Sequence, residues 1–223
     1  MKLIIPWINN IFDTEGDYIS TIIIENQRLF TDIITDMCGQ MQGCEGKCVI
    51  ADNNRVLNFA RTGEVLQTFI PFSLNTRLLL GRINSAIENE AIAPENYART
   101  KELMGSIETF LYDISQNLTG DFSFGKLSIG SIIKASGVEL NEDYELLGEK
   151  IIDYMELVKE FDQNKLFITI NLRSYIDDAE AEAFIDTVKR HKYNLIMIEG
   201  YEHPILINEK RYIVDSSLCE ILI

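Results

Sequence analysis

Lys165-Leu166-Phe167-Ile168-Thr169-Ile170-Asn171 and Asn194-Leu195-Ile196-Met197-Ile198-Glu199, with the segment from Asp177 to Lys192 between them, decide the fold class. Both flanking runs are short, continuous and apolar, the pattern of strands buried on both faces. Asp177 is placed to cap the intervening helix. Its acids come early (Asp177, Asp178, Glu180, Glu182) and its bases late (Lys189, Arg190, Lys192), the order that the helix dipole favours. Strand, helix and strand in about 35 residues make a βαβ unit, hence a parallel sheet with a right-handed crossover. Two further short strands are expected near 211–215 and 219–223.

Toward the N-terminus the pattern changes. Residues 142–162 read as a helix with Leu147, Ile151, Tyr154, Met155, Val158 and Phe161 on one side. Pro94 opens a longer helix, in the first turn where proline is tolerated. That helix carries Tyr97, Thr100, Met104, Ile107, Leu111, Ile114 and Leu118, a heptad stripe in steps of three and four. Such a seam needs a partner helix, and 142–162 is the expected one. Ser73 is expected to cap a helix from 74 to 90, and Ser128 a short one that Gly137 ends. Before these, Tyr18–Ile24 reads as a strand and 28–41 as a helix, and 48–51 and 55–59 as a hairpin turning at Asp52-Asn53-Asn54. The expected architecture is α/β: a domain with a parallel-containing sheet built from residues 1–72 and 163–223, and a helical insertion over 73–162.

The 223 residues suffice for a substantial core, with 46% hydrophobic and 25% charged residues. The composition excludes a collagen-like repeat, a disulfide-rich mini-protein and a disordered tail. No apolar run approaches a membrane span. The opening Met1-Lys2-Leu3-Ile4-Ile5-Pro6 has too short a hydrophobic stretch for a secretory signal, so a cytoplasmic protein is expected. Net charge is −15, which opposes nonspecific binding to polyanions. The charge is uneven: residues 74–140 carry Arg77, Arg82, Arg99, Lys101, Lys126 and Lys134 against eight acids, a net of −2, and the rest of the chain carries −13. Contacts with a polyanion would therefore lie in the middle of the chain, or on a basic surface made by assembly.

Few motifs carry chemistry. Gly120-Asp121-Phe122-Ser123-Phe124-Gly125-Lys126-Leu127-Ser128 approaches G-x4-G-K-[ST], but Leu127 stands where the magnesium-binding hydroxyl belongs. Asp121 would oppose phosphate, and the segment follows a helix instead of a strand. Cys38, Cys44 and Cys48 are spaced C-x5-C-x3-C, unlike a zinc ribbon, and read as reduced thiols. His191 and His203 have no nucleophile in view. No catalytic residue is assigned, and a non-enzymatic role is expected.

The ordered set of segments resembles the CRISPR-associated Csn-two family. Ser131-Ile132-Ile133-Lys134-Ala135-Ser136-Gly137-Val138-Glu139-Leu140 is similar to the hinge segment of that family, and the two apolar strands with their acidic-start helix follow it. Arg211-Tyr212-Ile213-Val214-Asp215 fits its end. Ile22-Ile23-Ile24-Glu25-Asn26 and Ser73-Leu74-Asn75-Thr76-Arg77 fall in the family's order upstream. The resemblance implies a degenerate P-loop-ATPase-like head without a working phosphate loop, and a helical leg. It further implies a homotetrameric ring that binds double-stranded DNA ends without sequence preference during spacer acquisition in type II-A systems. The implied partners are CRISPR integrase proteins and the RNA-guided nuclease. By the resemblance Lys134 matches a basic hinge residue that contacts DNA; Lys126, Arg77, Arg82 and Lys101 join it from charge placement alone. The family's calcium ligands thin here to Asp113 and Asp121, so calcium is a possible cofactor that one chain supplies poorly, and no nucleotide is expected. Two other readings stay open: a P-loop-like nucleotide hydrolase using 120–128, and an acidic adaptor that docks a protein on its heptad helix without touching DNA.

Overall fold

Alternation along each apolar strand builds two cores on opposite faces of one sheet. In the computed structural model, which describes residues 1–222, Leu166, Ile168, Ile170, Ile196 and Ile198 enter one buried cluster. Phe167, Leu195 and Met197 enter another. These strands are β7 (Leu166–Ile170) and β8 (Asn194–Glu199), and they pair in parallel. Each fully buried aliphatic side chain contributes about 1.5–3 kcal/mol, so the two-sided sheet is the main stabilising element.

The remaining elements follow in chain order: β1 (Lys2–Ile4), β2 (Ile11–Asp13), β3 (Ile19–Ile24), α1 (Gln27–Met41), β4 (Val49–Asp52), β5 (Arg55–Leu57), the single turn α2 (Phe59–Thr62) and β6 (Gly63–Leu66). Three helices come next, α3 (Arg77–Ile92), α4 (Pro94–Ser115) and α5 (Ile129–Ala135). After these come α6 (Leu147–Phe161), β7, a 3-10 turn (Leu172–Ser174), α7 (Asp178–Arg190), β8, β9 (Glu209–Val214) and β10 (Glu220–Leu222). Among the described residues the large sheet runs β10-β9-β3-β8-β7-β6, parallel except at β10, and a small antiparallel sheet runs β2-β1-β4-β5. The chain is thus mixed α/β with a parallel-containing sheet and seven α-helices among the described residues.

Two compact units result: Met1–Phe72 together with the chain from Asp143 onward, and Ser73–Glu142. Here the structure corrects two expectations. Residues 143–162 group with the sheet unit, not with the helical insertion. Likewise α6 does not complete the heptad seam of α4. Its Ile151, Met155 and Val158 share a core with Phe184, Ile185 and Val188 of α7 and with Phe167 and Met197 of the sheet. The reason is demand: that face of the sheet needs an apolar lid, and the stripe of α6 fits it.

Local signals mostly hold. Asn53 and Asn54 take positive φ (46° and 61°) at the β4–β5 turn, as a two-residue hairpin loop requires. The Asp177 carboxylate accepts from Glu180 N at 2.8 Å and caps α7. The Ser128 hydroxyl accepts from Ser131 N, and Gly137 past α5 has φ +65°. Ser73 is not a helix cap: Thr76 caps α3, while the Ser73 hydroxyl accepts from Asn75 N and donates to Glu142.

Candidate nucleic-acid interface

The inserted unit is a hairpin of α3 and α4 with α5 beside it. Ala93 alone links the two long helices, serving as C-cap of one and N-cap of the next. The direction of α5 follows from two contacts. Gly130 lies against Glu88, where an added Cβ would come 2.6 Å from the Glu88 carboxylate. Downstream, Asn75 bonds Leu140 in both directions, N–H to Oδ1 at 2.7 Å and Nδ2 to carbonyl at 3.0 Å. So α5 runs antiparallel to α3. Four residues past Gly130, Lys134 stands about 6 Å further along, toward the end of α3 that carries Arg77.

On α3, Arg77 and Glu88 are eleven residues apart, about three turns, and share the face along which α5 lies. Arg77 and Lys134 therefore flank the same side of this unit, both exposed. Lys126 is exposed in the irregular segment before α5, two residues ahead of the Ser128 cap. Arg82 is half-buried and turned about 140° from Arg77 around α3. Lys101 is exposed on α4, on the opposite side from Arg99, which lines a groove with Glu90 and Glu102. By this count Lys134 stands about 10 Å short of Arg77 along α3, Lys126 lies at the far end of α5, and Arg82 and Lys101 lie on other faces. Among the described residues no ion pair neutralises Arg77, Lys101, Lys126 or Lys134.

The hairpin also exposes apolar surface. On α4, Tyr97 (56%), Phe110 (62%) and Ile114 (45%) face solvent, and Leu118, Phe122 and Phe124 follow in the irregular segment. Met104, Ile107 and Leu111 are only half-buried. The heptad stripe is real as a pattern, yet Ser115 is the sole buried residue of α4.

Asp113 falls near the end of α4 and Asp121 in the irregular segment, both exposed. Among the described residues no three His, Cys, Asp or Glu side chains converge on a metal position. Calcium takes six to eight oxygens, more than the carboxylates of Asp113 and Asp121 supply. The acids at the start of α7 have structural partners: Asp177 caps the helix, Asp178 pairs with Arg173 at 2.5 Å and Glu180 accepts from Gly148 N at 2.6 Å. Cys48 is buried, which pushes its thiol up, and Cys38 shifts the same way.

Where a phosphate loop would join strand to helix, β3 passes to α1 through Glu25 and Asn26 alone. Asn26 spends its side chain on the Leu29 amide at 3.0 Å. Two residues cannot form the four-residue Gly-rich cradle. The near-match at Gly120–Ser128 lies in the other unit, between α4 and α5.

A protein-family profile described as CRISPR-associated protein (Cas_Csn2) matches residues 40–218. No curated protein matches the chain. Among the described residues no helix is long and apolar enough to cross a membrane. The profile spans both units, from the Cys-rich end of α1 to the β9–β10 turn, and the chain belongs to the Cas_Csn2 family of CRISPR-associated proteins.

Proposed function

We propose that this CRISPR-associated chain is a non-catalytic, sequence-independent binder of double-stranded DNA ends that works as a homotetrameric ring in type II-A spacer acquisition. The observation that carries the reading is the inserted unit: unpaired cations Arg77 and Lys134 share one side, and an apolar stripe on α4 is left uncovered. A second copy covering that stripe would multiply the cations around one axis. The chain's charge of −15 would keep DNA off the other surfaces. Counterion release makes such binding steeply salt-dependent.

The short β3–α1 junction supports a degenerate P-loop-like head that neither binds nor hydrolyses nucleotide. Asp113 and Asp121 would join a calcium site only with further oxygens from another region of the chain or from a second subunit. Integrase proteins and the RNA-guided nuclease of the system are the proposed protein partners, and the cytoplasm the proposed site of action. The test is a mobility shift with linear and closed-circular duplex at two salt concentrations, with calcium or chelator. Binding to linear duplex alone, lost at high salt, is the expected result. Equal binding to circles overturns threading, and no binding to either form favours the adaptor reading.

A further inference from the structure

The face of the large sheet under residues 200–208 is unusual in what it buries. Thr21 of β3, Arg211 of β9 and Thr169 of β7 occupy one row, since Thr21 registers with Arg211 and both threonines register with Met197. Glu199 ends β8 and is 1% exposed; Arg173 and Arg211 are 4% and 3% exposed. Among the described residues, all but one of the side-chain polar atoms buried without a hydrogen-bond partner fall here. They are Thr21 Oγ1, Thr169 Oγ1, Arg173 Nε and Nη1, Glu199 Oε2, His203 Nε2, Glu209 Oε1 and Arg211 Nε. Each such atom carries a desolvation penalty that is relieved when water enters.

The covering segment is held chiefly by polar contacts. Arg211 donates to the His203 and Pro204 carbonyls, both at 2.6 Å, and Leu206 N donates to Glu209 at 3.0 Å. At its ends Gly200 N donates to Asn171 Oδ1 at 2.8 Å, and Asn208 has φ +66°. Leu206 is its one apolar anchor in the core, while Ile205 and Ile207 are 62% and 70% exposed. Segments with few buried apolar contacts open at low free energy.

We infer that residues 200–208 are a proton-gated flap, opening over Arg173, Glu199 and Arg211 with transfer of a proton between Glu199 and His203. The charges that face Glu199 are Arg173 from the 3-10 turn, Glu209 from β9 and His203 from the flap; those that face His203 are Arg173, Arg211, Asp178 and Glu209. Arg173 pairs with Asp178 and Arg211 with Glu209, so the cluster balances when Glu199 and His203 hold one proton between them. Burial pushes the Glu199 carboxyl up from 4.5 to about 7. Burial, and then the two arginines, push His203 below its ordinary 6.5. Glu199 Oε2 and His203 Nε2 stand 3.7 Å apart, and one proton on the carboxyl gives both orphans a partner on slight approach.

The sign follows from these directions. Opening returns both groups to ordinary values. Below pH 6.5, wherever the closed histidine is neutral, opening moves the proton from Glu199 to His203 with little net exchange. The raised carboxyl alone makes rising pH favour opening, and the lowered histidine alone makes falling pH favour it. The test is hydrogen exchange at Gly200 and Leu206 from about pH 5.5 to 8, corrected for intrinsic rate, with β7 amides as the control. In the wild type the two shifts oppose each other, and protection varies less with pH than in either single variant. His203→Asn leaves only the carboxyl, and protection then falls as pH rises, by about tenfold. Glu199→Gln leaves only the histidine, and protection rises with pH instead. Variant profiles that do not slope in opposite directions overturn the flap; the orphaned atoms would then be served by enclosed water.

Discussion

At the scale of single residues, Arg77 and Lys134 flank one side of the inserted unit without a neutralising partner. Charge reversal of both, Arg77→Glu with Lys134→Glu, should abolish the shift of linear duplex. Replacing either by Ala should lower the slope of log affinity against log salt by about one for each phosphate no longer neutralised. A slope unchanged by both alanine variants would move the interface elsewhere. Stability has its own residue tests. Asp177→Ala frees the Glu180 amide and should cost about 1 kcal/mol in urea unfolding. At Gly63 an added Cβ would meet the Phe59 carbonyl at 2.9 Å, so Gly63→Ala should cost about 1–3 kcal/mol by the same measurement. Residue-level signals were legible where the chemistry is local. Asn53-Asn54, Asp177 and Ser128 serve neighbours within three positions in sequence. Arg173 and Glu199 gave no such signal, because Asp178 and the Arg173 amide reach them only after the sheet and its turns form.

At the scale of elements, α4 is the informative case. Its heptad pattern was plain in the sequence, but the partner was not. The helix expected there, α6, also had an apolar stripe, and periodicity cannot say which of two apolar surfaces a stripe will cover. The sheet face of Phe167, Leu195 and Met197 claimed it. What remains on α4 is exposed apolar surface at Tyr97, Leu103, Phe110 and Ile114, the last two on one face. If the Phe110–Ile114 face joins copies of the chain, Phe110→Glu with Ile114→Glu should lower the mass seen by light scattering without changing the helical circular dichroism. An unchanged mass would place the subunit contact on another surface. The parallel β7–β8 unit with α7 between was readable because its runs are continuous and its cap is strong. The short strands β1, β2 and β6, of three to four residues each, were not readable: segments this brief carry too few alternations to show a period.

At the scale of the whole molecule, one compact unit joins Met1–Phe72 to the chain from Asp143 onward, whereas the sequence suggested a boundary at residue 163. The CRISPR association was legible only as an ordered set of segments, since no single motif carries it. A chain at −15 that still shifts linear duplex at low salt, and fails to do so with closed circles, would show that geometry, not bulk charge, governs the encounter. The order of the large sheet also weaves the chain together. Along β9-β3-β8-β7-β6 the strands that precede the inserted unit (β3, β6) lie among those that follow it (β9, β8, β7). A single protease cut in the exposed segment around Phe122–Gly125 would leave two polypeptides interlaced, like the fingers of clasped hands. They should co-elute on gel filtration and part only in denaturant, and the same two pieces, expressed separately, should find each other and refold as one.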